Sequence, residues 1–402
     1  MVKKNKFIEI GIILNILAVS IAIVLKEVLK IDSSNITYII YFLSVVLTTN
    51  WKALFKKNGI RLTKKIVLLL ALQIYILICA FFSSAPLMGS SFATVYTLFV
   101  IVYIFSLSTN ITTIDEEKFM SFYIIITSIL SCLSFLIVFS NQSDITNMKV
   151  TTLENGAERS TLASVSLFYL FVFLVYKPKR KIIRVLLSIT FGFALCNMLI
   201  CNRRIVYITA LVCTLVYFWK NKKKALKFRN IAFLLVFIPV IIIIFRILLS
   251  IGWVNNMFDR SLNALLNGIN TFFDSNNGDA SVMIRNENRE LALNAYRNNN
   301  IFQYFFGRGY GYMWIDFPLF EAFLDLGIIA GFVYFYLTFY LVLKQTIFKK
   351  SFSQFEYIVL FGAIAVSLSG FASGMPYGNT KYCPIILFLY FIEGRKTITE
   401  EK

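Results

Sequence analysis

Residues 64–82 read KKIVLLLALQIYILICAFF: two lysines, then a run with no charge and no proline. At about 1.5 Å of rise per residue, such a run reaches across most of the hydrocarbon core of a bilayer. No water is available there to satisfy an open backbone, so the stretch is expected to be a transmembrane helix. Runs of the same kind recur along the chain, at about 7–25, 34–51, 66–82, 87–108, 119–139, 161–176, 182–201, 204–219, 231–251, 318–343, 356–372 and 382–392. Of 402 residues, 58% are hydrophobic and 15% charged, against roughly 45–50% and about 25% in a soluble domain. The expected fold class is therefore all-α, a polytopic transmembrane helical bundle of about 12 spans forming one integral membrane domain over 1–402. The first apolar run is long enough to span and lacks a small-residue cleavage site, so it should remain as helix one.

A formal net charge of +19 would suit a nucleic-acid partner, but the basic residues lie in short clusters between the apolar runs, as membrane orientation requires. Nucleic acid is not an expected partner. With a cytoplasmic N-terminus, one inner loop holds Lys52, Lys56, Lys57, Arg61, Lys64 and Lys65, and a second holds Lys177, Lys179, Arg180, Lys181 and Arg184. A third holds Lys220, Lys222, Lys223, Lys224, Lys227 and Arg229. Of the 40 Lys and Arg, 27 then face inward, the bias of the positive-inside rule. Both termini are expected in the cytoplasm. Inside the spans charges are scarce: Glu9 and Arg246 are the main exceptions, close enough to span ends to snorkel.

Two connections on the opposite face are long: an outer loop at 140–160 and a large extracytoplasmic loop at 252–317. Within the second, residues 284–302 (IRNENRELALNAYRNNNIF) contain no Gly or Pro, and Arg285, Arg289 and Tyr296 recur near helical spacing. An amphipathic helix is expected there, one of the short helices of this loop. Gly307-Arg308-Gly309-Tyr310-Gly311 then breaks it. The six cysteines (Cys79, Cys132, Cys196, Cys201, Cys213 and Cys383) fall in or beside apolar runs without CxxC spacing. They read as small core residues. The chain has no histidine, which removes imidazole bases and His-ligated metals from consideration.

The two faces differ in the kind of cation they carry. Lysine dominates the inner set, while the outer set is 4 Lys (Lys26, Lys30, Lys149 and Lys381) and 9 Arg. Holding a loop inside needs only positive charge, whereas arginine adds a planar fork that grips phosphate or carboxylate through two hydrogen bonds. Arg159, Arg203, Arg204, Arg285, Arg289, Arg297 and Arg308 are accordingly candidate anion ligands. The alternative is that some pin loops by pairing with Glu158, Glu287, Glu290, Glu321 or Asp325. Arg203 and Arg204 lie between two apolar runs with almost no loop, and cations at that depth need a polar cavity or a partner.

From Asp316 to Gly331 the chain reads DFPLFEAFLDLGIIAG. This stretch resembles the O-antigen polymerase and O-antigen ligase superfamily of bacterial membrane glycosyltransferases, at the end of that family's large outer loop. Gly307-Arg308-Gly309-Tyr310-Gly311 resembles the glycine turn before it, and Asn202-Arg203-Arg204 resembles the family's Ser-Arg pair. Arg159 falls where the family commonly carries an outer-loop arginine. The resemblance covers about residues 150–345. Ligases of the family usually carry a histidine nine residues before the acid corresponding to Asp325, where this chain has Asp316. That departure favours the polymerase branch and transfers a base role to a carboxylate.

The resemblance implies a growing glycan on polyprenyl pyrophosphate, transferred to a hydroxyl of the next lipid-linked repeat unit on the outer face of the bacterial cytoplasmic membrane. The product would be an O-antigen, a capsule or a related surface polysaccharide. Asp316, Arg203 and Arg204 are the expected catalytic residues; Arg159, Arg285, Arg289, Arg308, Glu290, Glu321 and Tyr310 are the expected substrate-binding residues. Asp316 can take a proton from a sugar hydroxyl, and it is equally suited to capping the helix that opens at Phe317-Pro318. No metal or cofactor is expected, since guanidinium groups can neutralise the leaving pyrophosphate and no DxD-type motif appears on the outer face. Expected partners are the lipid-linked oligosaccharide, the bilayer, a chain-length regulator and a flippase. The alternatives are a flippase or exporter of the same lipid, and a ligase-type glycan transferase.

Overall fold

The computed structural model describes residues 7–29, 33–56, 59–82, 90–109, 114–140, 156–178, 181–201, 203–222, 280–313, 315, 317–371 and 376–394, with 252, 255, 259, 262 and 263 singly. Among these residues all regular structure is helical. Five helical stretches are long and apolar enough to cross a membrane: Ile8–Leu29, Lys64–Phe81, Glu116–Val138, Lys181–Cys201 and Pro318–Phe348. Asn35–Thr48, Thr94–Ser108, Thr161–Val175 and Gln354–Ser369 are shorter apolar helices. Many large apolar side chains on these helices are exposed, such as Ile39, Phe42, Ile125, Leu136 and Leu195, as expected where the surrounding solvent is lipid. The apolar run at 231–251, with Arg246, lies outside the described residues.

The chain divides into two compact units, residues 1–123 with 280–402, and residues 124–279. The first contains α1 (Ile8–Leu29), α2 (Ser33–Thr48), α3 (Trp51–Leu54), α4 (Lys64–Phe82) and α5 (Ser90–Ser108). Helix α6 (Glu116–Ser140) begins in this unit and continues into the second. The second unit also holds α7 (Gly156–Val175), α8 (Lys181–Cys201) and α9 (Arg204–Lys220). The first unit resumes with α10 (Ala280–Arg297), α11 (Ile301–Phe306) and α12 (Pro318–Phe335). A π-helical turn (Tyr336–Tyr340) leads to α13 (Leu341–Phe348), followed by α14 (Gln354–Ser369), α15 (Asn379–Phe388) and a second π-helical turn (Leu389–Glu393).

Lipid tails are as apolar as leucine, so packing between spans rests on close approach and buried hydrogen bonds. Helices α1 and α2 follow that rule: Ser44 Oγ donates to Gly11 O at 2.8 Å and Asn15 Nδ2 donates to Ser44 Oγ at 3.1 Å. A Cβ on Gly11 would lie 2.7 Å from Thr48. Ser106 of α5 joins the same seam through Thr48 and Thr49. Glu9 does not snorkel: it is buried, accepts from Asp115 N at 3.1 Å and pairs with the Lys118 ammonium at 3.6 Å.

Two elements differ from the sequence reading. The helix expected over 284–302 resolves into α10 and α11, because Asn300 takes an extended backbone and forms a reciprocal capping box with Gln303. The apolar run from Pro318 is interrupted at Gly327, which has φ 79° and ψ 176°. Pro318–Leu326 is thereby a separate helical segment from the stretch that follows.

Candidate functional site

The interruption at Gly327 has a partner in the glycine turn. A Cβ on Gly327 would lie 2.3 Å from Phe305 O, and one on Gly307, also at positive φ (81°), would lie 2.1 Å from Asp325 O. The two backbones therefore cross in direct contact, at a distance that only glycine allows at both positions. Arg308 N donates to Leu324 O and Gly309 N to Asp325 O, each at 3.0 Å, which fastens the turn to the end of the short helix.

Asp325 completes the fastening. Fully buried, its carboxylate accepts from Gly311 N at 2.9 Å, Tyr312 N at 3.3 Å and the Tyr377 hydroxyl at 2.9 Å. The ring of Tyr377 stacks on Tyr310 with centroids 4.3 Å apart. Burial, and then the neighbouring carboxylates, raise both phenols above their ordinary range, so each remains a neutral hydrogen-bond donor near physiological pH. Asp325 thus holds a loop, and the acid one helical turn earlier has a different environment. Glu321 is 2% exposed, and its charge acts on the Lys381 ammonium and on Tyr310, Tyr334 and Tyr377. Lys381 also donates to Ser369 Oγ. Leu319 N donates to Gly370 O at 3.0 Å, which sets the start of α12 against the end of α14 that carries Ser369.

Helix α10 covers the loop from another side. Ala292, Ala295 and Tyr296 pack with Ile315, Leu324, Phe317 and Phe320. Arg289 sets its guanidinium over the Phe317 ring at 5.5 Å, and its Nε is buried without a hydrogen bond. Glu290 and Arg297 are exposed. Arg308 turns inward: Nε donates to Asn299 Oδ1 at 2.5 Å, Nη1 to the Tyr312 hydroxyl at 2.8 Å and Nη2 to Ala295 O at 2.6 Å. Its fork holds the segment together from within. Arg285 lies in α10 with its side chain outside the described residues, and Asp316 lies wholly outside them.

Beside this loop a cavity of about 190 Å³ opens between α4, α11 and the helix after Gly327, lined by Leu68, Leu72, Tyr75, Phe305, Phe306 and Ile329 among others. The Tyr75 hydroxyl donates to Phe306 O at 2.7 Å, tying α11 to α4 at its edge. The remaining lining is apolar, which suits a hydrocarbon chain.

The second unit brings together three of the other candidates. Asn197 Nδ2 donates to Leu162 O at 3.0 Å and to Ser166 Oγ at 2.8 Å, pairing the start of α7 with the end of α8. Arg159 lies in the first turn of α7, Arg203 is the extended residue before α9, and Arg204 opens α9. The backbones of all three arginines are therefore at one end of this unit. Tyr207 braces the α8–α9 turn by donating to Met198 O at 2.9 Å.

Among the described residues, no three His, Cys, Asp or Glu side chains gather as a metal site would require. Sequence reasoning passed over Lys381, Ser369 and Tyr377 as site residues. The one available signal was a lysine just before Pro384 in an otherwise apolar run. No family model, curated protein or solved structure matches the chain, so its own geometry carries the functional reading.

Proposed function

We propose that the chain is a polymerase of polyprenyl-pyrophosphate-linked oligosaccharide repeat units, acting on the outer face of the bacterial cytoplasmic membrane. In this reading about twelve helices span the bilayer. Both termini and the loops at 51–65, 177–181 and 220–230 are cytoplasmic, and 140–160 and 252–317 are outside. The observation that carries the proposal is the adjacency, within one unit, of the glycine turn clamped by the buried Asp325, with the buried Glu321 one helical turn before it, to an apolar cavity at Phe305 and Phe306. A lipid-linked sugar presents that same pairing of a charged, hydroxyl-rich head with a hydrocarbon chain. The acceptor hydroxyl attacks the anomeric carbon of the donor, the bond from that carbon to the pyrophosphate oxygen breaks, and the oxygen leaves with the electron pair. Asp316 takes the hydroxyl proton. Arg203 and Arg204, with Arg159, offset the charge that grows on the leaving group. Arg289 and Tyr310 line the approach of the sugar, and Arg285 and Glu290 lie on the helix that covers it. Arg308 contributes by holding the loop.

The test is extension of lipid-linked repeat units by the purified chain in liposomes, read as a ladder on a gel. A flippase would instead move the labelled lipid between leaflets and leave its length unchanged. Transbilayer movement without a ladder would overturn the polymerase. Cysteine labelling of intact cells checks the topology: position 277 should react from outside and position 57 should not.

A further inference from the structure

Helix α11 belongs to the long loop at 252–317, yet it touches α4 well inside the span. Its last carbonyl, Phe306 O, accepts the Tyr75 hydroxyl at 2.7 Å. Tyr75 stands seven residues before the end of α4 at Phe82 and eleven after its start at Lys64, about 10 Å and about 16 Å along the axis. Side chains on a helix lean toward its N-terminus, so the phenol does not climb toward Phe82. The cavity that Phe305 and Phe306 line with Leu68, Leu72 and Tyr75 follows the same middle part of α4. Residues 64–81 are long and apolar enough to cross a membrane. Whichever end of α4 faces outward, the end of α11 therefore lies at a depth that lipid occupies.

The side chains of α11 suit that depth. Ile301, Phe302, Phe305 and Phe306 are 79%, 67%, 48% and 47% exposed, a concentration of large apolar groups that water would not favour on so short a helix. Gln303 spends its side chain on the Asn300 N–H. The apolar face is also continuous with spans: Ile329 of α12 lines the cavity beside Phe305 and Phe306 and is itself exposed, as is Ile74 next to Tyr75. Irregular backbone survives at membrane depth only where the protein satisfies its polar groups. The turn after α11 meets that condition. Gly307 N donates to Gln303 O, Arg308 N to Leu324 O and Gly309 N to Asp325 O, while Gly311 N and Tyr312 N donate to the Asp325 carboxylate. Before α11 come Asn298 and Asn300, polar and exposed. The six residues of α11 reach about 9 Å, which matches the distance from the end of α4 down to Tyr75.

We infer that α11 is a re-entrant segment: it descends from Asn300 at the headgroup level into the acyl chains of its leaflet, and the glycine turn brings the chain back. Phospholipid hydrocarbon covers Ile301, Phe302 and Phe305. This placement stands independently of the polymerase reading, since it uses only the contact with α4, the apolar face and the satisfied turn.

The test is photo-crosslinking of the full chain in liposomes whose phospholipids are tritiated in their acyl chains. Photoreactive p-benzoylphenylalanine replaces, one at a time, Phe302, Phe305, Phe42 as a span residue facing lipid, and Glu287 as an exposed residue of α10. Tritium should attach to the chain from positions 302 and 305 as it does from 42, and should be lost at 287. No label at 302 and 305 while 42 is labelled, label at 287 as strong as at 302, or crosslinked dimers in place of lipid adducts overturns the inference. Should the probe at 302 or 305 prevent folding, Phe302→Asp and Phe302→Leu carry the test by thermal shift in the same liposomes. A carboxylate among acyl chains is costly, so the Asp variant should melt several degrees below the Leu variant. On a surface facing water the exchange of an exposed phenyl for a carboxylate would be neutral or favourable, and equal midpoints, or a higher one for Asp, overturn the inference.

Discussion

Two polar clusters of the first unit, each with a lysine and a glutamate, are built to different ends. At one, Glu393 engages Lys65 through Oε2 and Gln345 Nε2 through Oε1, so both carboxylate oxygens are occupied and α4, α13 and the last π-helical turn are pinned together. Nearby, Tyr390 bonds Ser108 and Ile104 O and adds a further tie to α5. At the other, Glu321 is buried on α12, whose crossing at Gly327 with Gly307 holds the glycine turn, and Lys381 of α15 donates to Ser369 Oγ. The residue types are the same at both places. What differs is that the first cluster closes on its carboxylate from both sides and pins three elements, while the second stands beside the clamped loop that carries the candidate site.

The substitution that breaks this contrast most severely is Gly327→Ala. The new Cβ would overlap Phe305 O, and the residue would have to hold φ 79°, so the crossing at Gly307 must open. Strain and overpacking together should cost roughly 2–6 kcal/mol. We expect no ladder and a marked fall in thermal stability, while the Lys65–Glu393 pin, on other helices, stays in place. Wild-type stability in this variant would mean that the crossing is not what holds the loop.

Next in size is Asp316→Asn. Asn caps a helix about as well as Asp, so the fold should survive, yet ladder formation should fall by about 10²–10⁴-fold if the carboxylate takes the proton. A folded variant with wild-type ladders would reduce Asp316 to a cap and transfer the base to Glu290 or Glu321. Smaller again is Arg203→Lys, which keeps the charge and loses the fork. Ladder formation should drop by about 10–100-fold, the loss of one strong charge-assisted hydrogen bond. Full activity in both the Arg203→Lys and Arg204→Lys variants would mark the two arginines as anchors of the α8–α9 turn.

Much of the helical layout was legible because hydrophobic runs of spanning length have few alternatives. Eleven of the twelve apolar runs coincide with described helices. The site was legible only in part. The glycine turn was visible at Gly307, but Gly327 sits in LDLGIIAG, which reads as continuous apolar helix; the break arises from contact with a backbone twenty positions away. Arg308 looked like a phosphate ligand because its residue type permits a bidentate grip, and nothing local reveals that Asn299, Tyr312 and Ala295 O occupy its donors. Lys381 meets Ser369, and the start of α12 meets Gly370, only through the way α12, α14 and α15 pack. Periodicity along one element carries no information of that kind.

The smallest expected effect is also the sharpest control on the comparison, and it concerns Glu393→Gln. The substitution keeps the shape of the side chain and an acceptor for one neighbour, and removes the charge that faces Lys65. Lys65 is 33% exposed, so water recovers part of the lost interaction, and the cost should be about 1 kcal/mol, as for a partly exposed pair. Stability measured by thermal shift should fall slightly. The ladder formed per folded molecule should stay at the wild-type level, because the pin contains none of the residues given a part in the transfer. Glu321→Gln, the same chemical change beside the glycine turn, is expected to lower ladder formation, as befits a substrate-binding carboxylate. If Glu393→Gln lowered ladder formation as much as Glu321→Gln does, charge lost anywhere in the unit would be enough to explain the result, and the distinction between a structural pin and a site carboxylate would fail.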